Sequence, residues 1–238
     1  MQPNRQHVLT AKLRGAEVIV GNFVRAPKQV PATPAITVEG RPIGGGVKRV
    51  FDLVIASLIL IAISPALAFI ALLVRLESAG PAIFRQERVG FAGEKFKIWK
   101  FRTMSVVEDG GAVVQARRAD PRITKLGNFL RRTSLDELPQ LVNVIRGEMS
   151  LIGPRPHAVS HDDYFATVAP VYVQRRKARP GITGLAQVSG YRGPTETIEA
   201  IEQRSVRDVQ YVDTWSFAAD MMIFWKTAVV VWTDKRAF

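Results

Sequence analysis

The stretch LVIASLILIAISPALAFIALLV, Leu53 to Val74, runs for 22 residues without a charge. About 20 apolar residues cross a hydrocarbon core of ~30 Å, so the run is long enough to enter a bilayer and long for a buried core helix. Lys48, Arg49 and Asp52 precede it, and Arg75 and Glu77 follow. Ser64–Pro65 falls at its middle. A proline inside a helix removes a backbone hydrogen bond, clashes with the preceding turn and costs about 3 kcal/mol. In lipid the carbonyl so freed needs a partner, for which the Ser64 hydroxyl is a candidate. Two halves of about 11 residues, each ~16 Å long, suit entry and return on one side. Basic residues at both ends agree with both ends being cytoplasmic. Residues 48–78 therefore read as a re-entrant helix–break–helix, with Lys48 and Arg49 at the lipid headgroups, and a tilted or kinked span through the bilayer is the alternative, since spanning helices also carry proline.

Outward from this segment the chain divides unevenly. Residues 1–47 carry Pro27, Pro31, Pro34 and Pro42, end in Gly44–Gly45–Gly46, and hold one strand-like stretch, Val18–Ile19–Val20. They read as a flexible extension with no apolar run of signal-peptide length. Residues 79–238 read as a cytoplasmic, helix-rich α+β domain. Short strands are expected at Ala82–Phe84 and Phe96–Trp99, and helices over Ile123–Arg132 and Leu138–Ile145. Loops are expected over Val106–Arg118, Gly147–Pro156 and Arg179–Gly193. Phe217–Trp232 is strongly apolar, and its tryptophans suit either a membrane interface or the core.

Composition narrows the chemistry. The 238 residues include no cysteine and three histidines, which excludes disulfides, thiolate metal sites and cysteine nucleophiles. Net charge is +12, distributed as +4 over residues 1–47, +8 over 48–133 and zero over 134–238. Such an excess around an apolar segment fits anionic lipid, phosphorylated substrates or nucleic acid. The basic residues alternate with Pro and Gly rather than with stacking aromatics, so nucleic acid is not expected as a partner.

The block Thr133–Ser134–Leu135–Asp136–Glu137–Leu138–Pro139–Gln140 is the most informative. Ser134 and Glu137 have capping-box spacing, which predicts a helix starting between Ser134 and Leu138 with both acids in its first turn. Adjacent helical residues face different ways, so two carboxylates suit two tasks: one a nucleophile, its neighbour a ligand for a divalent cation. Phosphate-seeking groups surround them in sequence: Lys95, Lys97, Lys100, Arg102, Arg131, Arg132, the proline-flanked Arg155, and Arg175 to Arg179. Phosphoryl transfer requires such neutralisation of charge around phosphorus. His161–Asp162–Asp163 is the competing acidic pair, of the kind that binds metal in glycosyltransferases releasing UDP.

From Lys48 to Trp232 the chain resembles the bacterial sugar transferases, or monotopic phosphoglycosyl transferases. The likeness rests on Lys48–Arg49–Val50–Phe51–Asp52, Ser64–Pro65, Phe84 to Gly90, Phe96 to Met104, Ser134 to Gln140, Met149 to Pro156 and Arg179 to Gln187, in that order. It implies transfer of a sugar-1-phosphate from a UDP-sugar to polyprenol (undecaprenyl) phosphate at the inner membrane, with release of UMP. It implies Asp136 as nucleophile, Glu137 as the Mg²⁺ ligand, and Lys100, Arg102, Arg131, Arg155 and Arg179 around phosphates and nucleotide. Tyr191 departs from the family pattern, where Ser189–Gly190 would run directly into Arg192. The C-terminal part resembles members of exopolysaccharide or capsule pathways, which use UDP-glucose or UDP-galactose. Oligomerisation is left open.

Overall fold

The computed structural model describes residues 38, 40–105, 120–191 and 197–233. The expected strand at Val18–Val20 and the Val106–Arg118 loop lie outside these. The first element is a 33-residue helix, α1, Gly45–Glu77. Helical structure continues across Pro65 rather than stopping there. The Ser64 hydroxyl donates to the Ile61 carbonyl at 2.9 Å, four residues before the proline, which is the acceptor that Pro65 leaves without a donor.

One side of α1 packs on the rest of the chain along much of its length, and the other side is exposed from Val47, Val50, Val54 and Leu58 to Leu72 and Leu76. Phe51, Ile55, Ala56, Ile59 and Ile63 join the main core with Phe96, Ile98, Leu141, Val144 and Met149. Leu67, Ile70, Ala71 and Val74 join a separate cluster with Phe101 and Leu130. Ile61, Ala62, Ser64, Pro65, Ala66, Ala68 and Phe69 are exposed as well. The two packed sets adjoin along the axis: Ile63 of the first and Leu67 of the second are four residues, about 6 Å, apart, on either side of Pro65.

Strands β1 (Ile83–Val89) and β2 (Lys95–Phe101) form an antiparallel hairpin, longer than the sequence predicts. Phe96 and Ile98 point into the core while Lys95 and Lys97 face solvent, the alternation of a half-buried strand. Helix α2, Lys125–Thr133, is capped by the Thr124 hydroxyl, which accepts from the Gly127 amide at 2.9 Å. A 3₁₀ turn over Leu135–Gln140 leads into α3, Leu141–Arg146. The fully buried Asn143 fixes α3 against β2: its Oδ1 accepts from the Trp99 amide (3.0 Å) and its Nδ2 donates to the Lys97 carbonyl (2.8 Å).

Two expected loops contain regular structure. Strand β3 (Ser150–Ile152) pairs in parallel with β4 (Gly181–Thr183). Their backbones approach so closely that a Cβ on Gly181 would lie 2.1 Å from the Gly153 nitrogen. Between them run α4 (Val159–Val168) and a 3₁₀ segment, Pro170–Lys177, whose Tyr172 and Val173 share a small core with Phe165 and Ile201. Helices α5 (Leu185–Val188), α6 (Ile198–Asp213) and α7 (Phe217–Thr233) complete the chain. On α7, Phe217, Met222, Trp225 and Val229 are exposed, whereas Asp220 and Ile223 are buried.

Candidate active site

Ser134 sets the local geometry, though not by capping. It adopts a left-handed conformation (φ 58°, ψ 17°), closes α2 through its own amide to the Arg131 carbonyl, and makes no side-chain cap. The expected capping box is therefore corrected. The positive φ reverses the chain at the end of α2, and Glu137 turns to β2 instead of back to Ser134.

Asp136 and Glu137 occupy neighbouring but unlike environments. Glu137 Oε1 accepts from Lys100 Nζ at 2.7 Å and from Arg155 Nη2 at 2.5 Å, while Oε2 accepts from Arg155 Nη1 at 3.0 Å. Burial alone pushes this carboxyl up, but Arg155 and Lys100 outweigh it and hold the group well below the usual carboxylate range. Asp136 is 9% exposed. Among the described residues no hydrogen bond ends on its carboxylate, and Lys100, Arg131 and Arg155 act on it only through space. Burial first and the Glu137 charge second push Asp136 up to about 6. One acid is locked and its charged form favoured by two cations; the other is pocketed and unclamped.

The structure brings together Asp136, Glu137, Lys100, Arg131 and Arg155. It adds Arg88, which lies close enough to act electrostatically with Arg155 and Glu137, and whose guanidinium burial lowers to about 10. Arg88 sits within a stretch quoted for the family likeness, yet only the strand's pairing shows that its side chain turns to the site.

Other expected ligands go elsewhere. Arg102 is buried and caps the end of α1, donating to the Ser78 carbonyl (2.5 Å), Val74 carbonyl (3.3 Å) and Pro81 carbonyl (2.7 Å). It satisfies orphan helix carbonyls rather than phosphate. Arg179 donates from Nε to the Gly147 carbonyl at 2.9 Å, with Arg49 and Asp52 as its charge neighbours. Lys48 is not at a headgroup: it is 4% exposed and pairs with Asp220 at 2.6 Å. Arg49 caps α3 through the Val144 and Ile145 carbonyls (2.6 and 2.8 Å). The competing acid Asp162 is also committed, one oxygen to the Tyr172 hydroxyl at 2.6 Å and the other to Arg176.

Among the described residues no three His, Asp or Glu side chains converge on a metal position. At the site itself the candidate donors are the two hard carboxylates of the dyad, of which Glu137 is already engaged by Lys100 and Arg155. This fits Mg²⁺, which is commonly held by one or two carboxylates together with substrate phosphates and water.

The family model described as "Bacterial sugar transferase" matches residues 44–234. The UDP-glucose:undecaprenyl-phosphate glucose-1-phosphate transferase of Escherichia coli (strain K12) is 47% identical over 214 residues, 89% of this chain and 46% of that protein. The chain thus spans about half the length of that relative. The protein of the same name from Caulobacter vibrioides is 51% identical over 191 residues, 80% of this chain and 72% of its own length. The exopolysaccharide production protein PSS of Rhizobium leguminosarum bv. phaseoli is 42% identical over 195 residues, covering 80% of this chain and 98% of the relative. A family match over residues 44–234, which takes in α1, the dyad and its cations, together with 51% identity over the 191 residues shared with the Caulobacter protein, means that this chain belongs to the bacterial sugar transferase family.

Proposed function

We propose that this protein transfers a hexose-1-phosphate from a UDP-sugar to undecaprenyl phosphate and releases UMP, as the first membrane step of exopolysaccharide assembly. The observation that carries the reading is the unclamped Asp136 carboxylate beside a fully clamped Glu137, amid Lys100, Arg131, Arg155 and Arg88. The names of the relatives support UDP-glucose as donor.

The chemistry follows from that asymmetry. With its pKa near 6, Asp136 is mostly ionised at neutral pH. One of its oxygens attacks the phosphorus bearing the sugar, and the bond from that phosphorus to UMP breaks. UMP leaves as a phosphate anion, so no general acid is required. A phosphate oxygen of undecaprenyl phosphate then attacks the same phosphorus, restores the Asp136 carboxylate and yields the diphosphate-linked sugar. Lys100, Arg131, Arg155 and Arg88 offset the charge on the phosphates through both steps. Mg²⁺, when bound, would be held by Glu137 and substrate phosphate oxygens and would add Lewis-acid neutralisation there. Because Lys100 and Arg155 already hold Glu137, metal at this carboxylate competes with them.

A single site serves a soluble donor and a lipid acceptor only if it lies at the membrane surface. What supports a re-entrant helix bent at Ser64–Pro65 is the exposed apolar side of α1 together with Pro65 at its middle, where the Ser64 hydroxyl takes up the Ile61 carbonyl. The domain then sits on the cytoplasmic face of the inner membrane, where UDP-sugars are found. The exposed Phe217, Met222, Trp225 and Val229 of α7 suit the same interface.

The test is nucleotide release by purified protein in lipid, with UDP-glucose, Mg²⁺ and undecaprenyl phosphate. UMP from the wild type and none from Asp136→Asn supports the reading. UDP as product, or full turnover by Asp136→Asn, overturns it.

A further inference from the structure

Arg155 locks Glu137, and its own position depends on a buried polar network behind it. Its flanking residues, Pro154 and Pro156, stiffen the backbone, and a residue preceding proline is confined to extended conformations. Fixing the Arg155 carbonyl therefore fixes the direction in which its side chain leaves the loop. That carbonyl accepts from Nη2 of Arg175, itself 4% exposed. The same guanidinium pairs with Asp208 of α6 at 3.0 Å and donates from Nη1 to the Tyr172 hydroxyl at 2.8 Å. Nη1 also lies 2.7 Å from His157 Nδ1. The same Nδ1 lies 2.7 Å from the Tyr172 hydroxyl, and burial, then the nearby Arg175, holds this imidazole well below its usual range. Tyr172 in turn donates to Asp162 of α4 at 2.6 Å.

We propose that Arg175 is a positioning residue: through the Arg155 carbonyl it holds the Arg155 guanidinium against Glu137, and it contacts neither acid of the dyad itself. The fork geometry is the essential feature. Planar guanidinium serves Asp208, Tyr172, His157 and the Arg155 carbonyl at once, whereas a lysine ammonium is a point charge that cannot span them.

The inference rests on the phosphotransfer reading, and three measurements separate the two. In Arg175→Lys the charge facing Asp208 is kept but the other buried contacts are not, so the unfolding midpoint falls moderately, while UMP release by the folded protein falls about 10- to 100-fold, the usual cost of losing a supporting contact. In an Arg155→Lys background, the further change Arg175→Lys has little effect, because its route of action is already gone. Equal losses in both backgrounds, or no loss in the first, overturn the proposal in favour of charge balance alone. If Arg175→Lys does not fold, Tyr172→Phe, which removes one of the contacts holding Arg175, is put through the same cycle. Hydrogen exchange of the peptide spanning residues 150–158 reads the loop without turnover. Unchanged exchange in Arg175→Lys contradicts this inference alone, and absent UMP release by the wild type contradicts the phosphotransfer reading alone.

Discussion

Asp220 and Asp136 are both withdrawn from solvent, at 0% and 9% exposure, yet the chain treats them in opposite ways. Asp220 accepts from Lys48 (2.6 Å), Tyr211 (2.7 Å) and Trp215 (3.0 Å), and so joins the first turn of α1 to α6 and α7. Both of its oxygens are engaged by protein donors, Oδ1 by Tyr211 and Oδ2 by Lys48 and Trp215. Asp136 has cations near it but no donor on it among the described residues. A buried carboxylate whose hydrogen bonds are all made is a structural tie. One surrounded by positive charge but left without direct bonds keeps its lone pairs for an incoming phosphorus.

Exchanging each acid for its amide breaks the comparison most directly. Asp136→Asn is expected to lower UMP release at least 10³-fold, as for loss of a covalent nucleophile. Its fold should be unharmed. The pKa of Asp136 is higher in the folded chain than in an unfolded one, so its charged form opposes folding above pH ~6. The thermal midpoint at pH 7 is therefore expected to stay level or rise. Asp220→Asn should do the reverse. Removing one partner of a buried ion pair leaves Lys48 uncompensated and costs about 3–5 kcal/mol, a fall in unfolding midpoint on the order of 10 °C. Protein that remains folded should keep its turnover. Adding Lys48→Met to Asp220→Asn should recover part of the loss, and the absence of any recovery would show that the pair is not the source of it.

A smaller effect sharpens the contrast within the dyad. Protonated Asp136 cannot attack phosphorus, so kcat/KM should fall as pH drops, with an acid limb near pH 6 rather than near ~4. Glu137, held low by Arg155 and Lys100, should add no limb in that range. A profile flat down to pH 5 would mean that Asp136 is better solvated than its burial implies.

Much of this is legible in the residues. The length of the apolar run and the acidic pair among cations are local features, and each lies where the sequence places it, whereas the helix runs on through Ser64–Pro65, where the sequence reads a break. What the sequence misassigns depends on partners distant along the chain. Lys48 reads as a headgroup ligand because its acceptor, Asp220, lies 172 residues away. Arg102 reads as a phosphate ligand because nothing local says that β2 ends beside the last turn of α1. Ser134 and Glu137 have the spacing of a capping box, yet the left-handed turn at Ser134 and the pull of Lys100 and Arg155 outweigh it. The β3–β4 pair escapes notice because each strand has three residues and their partnership spans a whole helical insertion.

The most direct test of the central claim, that Asp136 takes the sugar phosphate onto itself, omits the acceptor. Purified protein in lipid is mixed with UDP-glucose and Mg²⁺ alone, and UMP and the intact mass of the chain are followed together. The account predicts a burst of UMP no larger than the amount of enzyme, and a mass increase of one hexose phosphoryl group that maps to Asp136 and is absent from Asp136→Asn. UMP formed only after undecaprenyl phosphate is added, with no adduct on the chain at any time, would mean direct transfer and would contradict it.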